Sequence, residues 1–131
     1  MDGVLAREMY KEHILDLYKY PHNFGKLEGA SHSYRSYNPL CGDDITLQLI
    51  ITKGKVEGVK FLGRGCAISM ASASLLTDEI KGKTIEDVQS VTQEDILEML
   101  EIPIGPVRLK CALLCWEALQ EAVKFGEKVS L

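Results

Sequence analysis

No stretch of this 131-residue chain comes near the roughly 18–20 consecutive apolar residues that a membrane helix needs. No run of lysine or arginine stands out either, and the formal charge is −4, which argues against a nucleic-acid partner. Repeats, low-complexity tracts and linkers are missing, so residues 1–131 are expected to form a single domain. Met1 to Tyr20 carries Asp2, Arg7, Glu8, Lys11, Glu12 and Asp16 rather than the uncharged core of a signal peptide. The expected address is the cytoplasm or an equivalent reducing compartment. Four cysteines are present without one C-x-x-C pair, which excludes the common zinc-finger and thioredoxin signatures.

In a reducing compartment, widely spaced cysteines read as reactive or metal-binding thiolates, or as small buried hydrophobes, rather than as disulfides. Any site they share must be assembled by the fold from distant segments. Hydrophobic residues at 46% against charged residues at 26% give the balance of a globular protein with a core.

Leu5, Met9, Ile14, Leu15, Leu17 and Tyr18 space the apolar positions of an amphipathic helix over Val4 to Tyr18, ending before Pro21. Pro21-His22-Asn23-Phe24-Gly25 reads as an ordered loop, and His32 to Tyr37 as an edge strand. Ile45 to Thr52 is β-branched and partly alternating; Lys53-Gly54-Lys55 turns it back into Val56 to Gly63 as a hairpin. A small-residue helix is expected from Ala67 to Ile80, closed by Lys81-Gly82-Lys83. Thr84 with Asp87, and Thr92 with Asp95, have capping-box spacing for two short helices. Pro106 suits a first helical position, since its missing N–H would be unpaired there, and a last helix runs on to about Lys124. That order predicts an α+β fold: a small three-stranded antiparallel sheet with helices packed mainly on one face.

Three segments could carry chemistry. In Asn38-Pro39-Leu40-Cys41-Gly42-Asp43 a soft thiolate and a hard carboxylate stand two residues apart in a turn, a mixture both zinc and iron tolerate. The bland alternative is a turn in which Asp43 bonds its own backbone. In Gly63-Arg64-Gly65-Cys66-Ala67, Cys66 falls at or just before a helix start, where unpaired N–H groups favour a thiolate; it could instead be a small residue beneath the sheet. Cys111 falls in the first turns of the last helix between Arg108 and Lys110, cationic neighbours of the kind that lower a thiol pKa. Cys115, one turn on among Leu114, Trp116 and Ala118, reads as core. His13, His22 and His32 read as solvated, and Ser72 and Ser74 as exposed or bonded back to their own helix.

Together these segments resemble the three motifs of the U-type iron–sulfur scaffold proteins, the IscU and SufU proteins and the N-terminal domain of NifU. The resemblance runs over nearly the whole chain. It implies an α+β fold whose three cysteines meet at one exposed end. It also implies a scaffold that takes persulfide sulfur from a cysteine desulfurase, takes iron, and builds a transient [2Fe–2S] cluster for apo-protein acceptors. Cys41, Cys66 and Cys111 match the thiolate ligands, with Cys111 or Cys66 as persulfide acceptor, and Asp43 matches the labilising aspartate. Isolated members often hold Zn2+ in the same site.

Two features depart from the pattern. Lys110 stands where IscU-type members have histidine, as in the SufU type, yet the chain is too short for the SufU insertion between the second and third cysteines. Ile104-Gly105-Pro106-Val107-Arg108 echoes only part of the motif read by an Hsp70-type chaperone, with Gly105 in place of a proline, so a dedicated chaperone is not expected. The second functional reading is a zinc-dependent sulfurtransferase that accepts persulfide sulfur without building a cluster. A third is a structural zinc module, against which stand the carboxylate and the glycine-flanked thiols.

Overall fold

Ile45, Leu47 and Leu49 alternate with Asp44, Thr46 and Gln48. In the computed structural model, which describes residues 12–124, these three aliphatic side chains share one wholly buried face of a strand. That strand, β2 (Asp43–Thr52), lies between β1 (His32–Asn38) and β3 (Lys55–Arg64) in an antiparallel sheet of order β1-β2-β3. Leu47 pairs with Tyr34 and Phe61, and Leu49 with Val59, so the apolar face continues across all three strands. Lys53 (φ 53°) and Gly54 (φ 77°) form the two-residue hairpin turn, both left-handed as a right-twisted hairpin prefers.

The helices are α1 (described over 12–19), α2 (Ala67–Ile80), α3 (Ile85–Gln89), α4 (Gln93–Leu100) and α5 (Pro106–Lys124). α5 lies across β1 and β2, and α2 packs against α5 and β3, with α4 against both helices. The opposite sheet face carries Gln48, whose Oε1 accepts the Leu27 N–H at 2.9 Å from the preceding loop. The expected three-stranded α+β architecture, with its helices on one face, is the one observed. Among the described residues no helix is long and apolar enough to cross a membrane.

The predicted bounds of α2 hold, and so do the caps. Thr92 and Asp95 make a reciprocal capping box, while Thr84 accepts the Asp87 N–H alone. In α1, Ile14 and Leu17 are buried, but Leu15 and Tyr18, expected on the same face, are 40% and 46% exposed. One residue further round the helix is a rotation of about 100°, enough to turn both off the core stripe. Leu5 and Met9 lie outside the described residues.

Ser72 and Ser74 depart from expectation because α2 is covered on two sides. Ser72 Oγ donates to the Ala112 carbonyl of α5 at 2.6 Å, and Ser74 Oγ accepts the His22 N–H at 3.1 Å. His22 is likewise not simply solvated: its Nδ1 lies 2.6 Å from Asp78 Oδ2, although half of each side chain remains exposed. Asn23 Nδ2 donates to Thr77 Oγ1 and Asp78 Oδ1, completing a clasp between the Pro21–Gly25 loop and α2. His13 is exposed, and His32 is half-buried with its Nδ1 2.8 Å from Ser31 Oγ.

The Ser72–Ala112 bond is a buried polar tie between the helices that carry Cys66 and Cys111. Ser72→Ala should lower the free energy of unfolding by about 1 kcal/mol, the net contribution of a typical hydrogen bond, read as a lower urea midpoint. An unchanged midpoint would show that the tie adds nothing.

Candidate metal centre

Four residues, 39–42, connect β1 to β2, and the ladder closes at the Asn38–Asp43 pair. Gly42 N–H donates to the Asn38 carbonyl at 2.8 Å, which holds the loop tight and leaves Cys41 exposed beside Leu40. The buried Asn38 side chain spans the inside of this loop. Its Oδ1 accepts the Leu40 N–H at 3.2 Å and its Nδ2 donates to Cys41 Sγ at 3.0 Å.

Asp43 is not a turn residue; it is the first residue of β2. It shares the strand parity of Ile45 and Leu47, so its carboxylate points into the helix layer and is only 2% exposed. A buried carboxylate needs partners. Asp43 Oδ1 accepts the Cys66 N–H at 3.0 Å, and Oδ2 lies 3.8 Å from Cys66 Sγ. The bond to Cys66 takes the place of the local backbone bond that a turn would have offered.

Cys66 is the N-cap of α2, and Ser69 Oγ donates back to its carbonyl at 3.1 Å. Two glycines make this approach possible. A Cβ on Gly63 (φ 124°) would lie 1.9 Å from the Asp44 carbonyl oxygen, and one on Gly65 would lie 2.1 Å from Ser69 Oγ and 3.1 Å from the Asp43 carboxylate.

Cys111 reaches the same place from the early turns of α5, with its Sγ 3.2 Å from Cys41 Sγ. The expected lowering of its pKa by Arg108 and Lys110 is overturned. Burial is the main cause that pushes the Cys111 thiol far up, followed by hydrogen bonding with Cys41 and Asp43 and by the charge of Cys66. Arg108 and Lys110 are exposed instead. Lys110 lines a small surface pocket together with Tyr37, Asn38 and Glu117; burial raises the Glu117 pKa and the Lys110 charge opposes that rise. Cys115 is core, as its neighbours implied: it is 1% exposed, and burial pushes its thiol up to about 12.

Cys41, Asp43 and Cys111 each offer one ligand atom, all within 4.8 Å of one another. Cys66 stands outside that set, against the Asp43 carboxylate. A tetrahedral zinc site with bonds of about 2.3 Å to sulfur spaces its ligand atoms by roughly 3.8 Å, so the donor set fits zinc or iron in both chemistry and reach. A bound cation would reverse the effect of burial on Cys111, because a coordinating thiol is deprotonated outright. The histidines contribute nothing to the centre: His22 and His32 are engaged elsewhere and His13 sits on the exposed side of α1. Asn38, which the sequence marked only as a turn former, is a further side chain that donates to a candidate ligand sulfur from inside the loop; its place at the head of the motif was the signal.

Comparison with known proteins places this geometry. Residues 9–129 match the family described as the NifU-like N terminal domain. The iron–sulfur cluster assembly scaffold protein IscU of Thermotoga maritima is 37% identical, covering 92% of this chain and 96% of its own length. The zinc-dependent sulfurtransferase SufU of Bacillus subtilis is 40% identical over 88% of this chain and 89% of its own. Among solved structures, a protein from Fervidobacterium islandicum described as a scaffold for the SUF system superposes with a TM-score of 0.75 at 31% identity, covering 86% of this chain and 94% of that one.

Exposure separates the thiols. Iodoacetamide added to the metal-free, reduced, folded protein should label Cys41 first and leave Cys115 untouched until denaturant is present. Mass-spectrometric mapping that finds Cys115 labelled in the folded protein would contradict its burial.

Proposed function

The chain belongs to the family of NifU-like N-terminal domains, and on that premise we propose that residues 1–131 are one iron–sulfur scaffold domain. It collects persulfide sulfur from a cysteine desulfurase together with iron, builds a transient [2Fe–2S] cluster once an external electron donor has taken each persulfide sulfur to sulfide by two electrons, and passes it to apo-protein acceptors. The observation that carries this reading is the convergence of Cys41, Asp43 and Cys111 within 4.8 Å, with Cys66 against Asp43, at the end of the sheet where Cys41 is exposed.

In this reading Cys41, Cys66 and Cys111 are the thiolate ligands of the cargo, and Asp43 completes the site. A carboxylate is a harder ligand than a thiolate and binds iron–sulfur cargo less firmly, which suits a site that must release what it builds. Sulfur arrives when a thiolate, Cys111 or Cys66, attacks the outer sulfur of the desulfurase persulfide. One S–S bond forms as the other breaks, and the desulfurase cysteine departs as thiolate with the electron pair. Such chemistry belongs in a reducing compartment, the cytoplasm. A dedicated Hsp70-type chaperone is not part of the reading, since Gly105 interrupts the segment that would serve it.

The SufU relative favours a second reading: a zinc-dependent sulfurtransferase, without cluster assembly. Zinc on the same residues would keep their thiols deprotonated and thus ready to receive sulfur. The two readings share ligands and differ in cargo.

Anaerobic reconstitution with iron, cysteine, a desulfurase and dithiothreitol, which reduces the persulfide sulfur to sulfide, should produce visible charge-transfer absorption that is lost in Cys41→Ala, and Asp43→Ala should release its cluster more slowly. A wild-type protein that holds zinc, accumulates no cluster and gains one sulfur on Cys111 or Cys66 would decide for the sulfurtransferase.

A further inference from the structure

Of the four candidate ligands, three are fixed by regular structure: Asp43 by β2, Cys66 by the start of α2, and Cys111 by α5. Cys41 alone sits in a loop and is exposed. A ligand on a loop is less precisely held than one on a helix or strand unless something inside the loop orients it. The geometry points to Asn38 as that element: a positioning residue whose side-chain amide aims the Cys41 sulfur at the centre and, through an N–H···S bond, tunes how strongly that sulfur donates to a metal. The inference rests on the metal-site reading above.

The orientation of the Asn38 amide follows from its partners. Leu40 N–H can only donate, so the amide end 3.2 Å away is the oxygen, and the end 3.0 Å from Cys41 Sγ is the nitrogen. Asn38 is only 5% exposed, so water does not compete freely for either end. Its backbone is fixed as well, by the pairing with Asp43 and by the Gly42 N–H on its carbonyl. The donor to sulfur is therefore anchored at three points, on the strand that leads into the loop. Hydrogen bonds to ligating sulfurs draw electron density from them and are among the levers that set metal affinity and cluster potential. A side chain serving only the turn would need the oxygen alone, and aspartate or serine would supply it.

That difference is the test. Asn38→Asp keeps the acceptor for Leu40 but loses the donor; Asn38→Ser keeps a turn acceptor but is too short to reach Sγ. The full-length apo-protein is titrated anaerobically with Co(II), then with Zn(II) in competition, with Trp116 fluorescence and circular dichroism reporting the fold. Both variants should fold and bind, with affinity reduced by about 10- to 100-fold and the sulfur-to-cobalt charge-transfer band moved to lower energy. Variants matching the wild type in affinity and band energy would overturn the role of Asn38 while leaving the metal site standing. If the wild type itself shows no sulfur-to-cobalt band, the metal-site reading fails and this inference with it. Should the variants not fold, wild-type protein loaded with 113Cd decides: scalar coupling from an Asn38 Nδ2 proton to the metal supports the role, and its absence beside coupled Cys41 Cβ protons overturns it.

Discussion

The end of the molecule that carries the cysteines is organised by one buried carboxylate. Asp43 points inward because strand alternation puts it on the same side as Ile45, and a carboxylate there must find donors or destabilise the fold. The donor it finds is the Cys66 backbone N–H, at the positive end of α2, where charge and unpaired amides both favour an anion. This bond ties the start of β2 to the start of α2 and thereby sets where Cys66 stands. The other oxygen, Oδ2, lies 3.8 Å from the Cys66 thiol, so a single residue holds the Cys66 backbone through one atom and meets its sulfur with the other.

The third arm depends on close packing. α5 can bring Cys111 against Cys41 only if it lies near both α2 and the sheet, and the small residues of α2 allow that approach. Ala71 and Ala73 are wholly buried, and Ser72 uses its hydroxyl on the Ala112 carbonyl, one residue after Cys111. On the other side of α2 the His22–Asn23 clasp holds the loop that leads into β1. Packing and polar ties thus act together: the Ser72 bond registers α2 against the helix that bears Cys111, and the clasp fixes the loop that precedes β1.

Within the centre, exposure and rigid placement run in opposite directions. Cys41 is open to a partner but placed on a loop, while Cys111 is rigidly placed but buried, with its thiol pushed up. A bound cation would relieve the penalty at Cys111, since it stabilises the thiolate that burial disfavours. An empty site of this kind holds its protons and a loaded one releases them, which couples loading to proton loss. The fully buried Cys115 has no such relief and remains core.

Much of the fold was legible in the amino-acid order. β2 reads from its alternating Ile45, Leu47 and Leu49, the hairpin from Lys53-Gly54, α2 from its small residues between Gly65 and Gly82, and the start of α5 from Pro106; each is a local signal acting over a few residues. The three cysteine motifs were legible too, but only as separate candidates. Their meeting, the engagement of Asp43 by Cys66, the upward shift at Cys111 and the ties made by Ser72 and His22 all join residues dozens of positions apart. Local propensity carries no information about such contacts. The sequence by itself determined which elements form and which side chains could bind a metal. Tertiary structure alone decided which of them share a centre, because burial and proximity exist only once α2 and α5 have closed over the sheet.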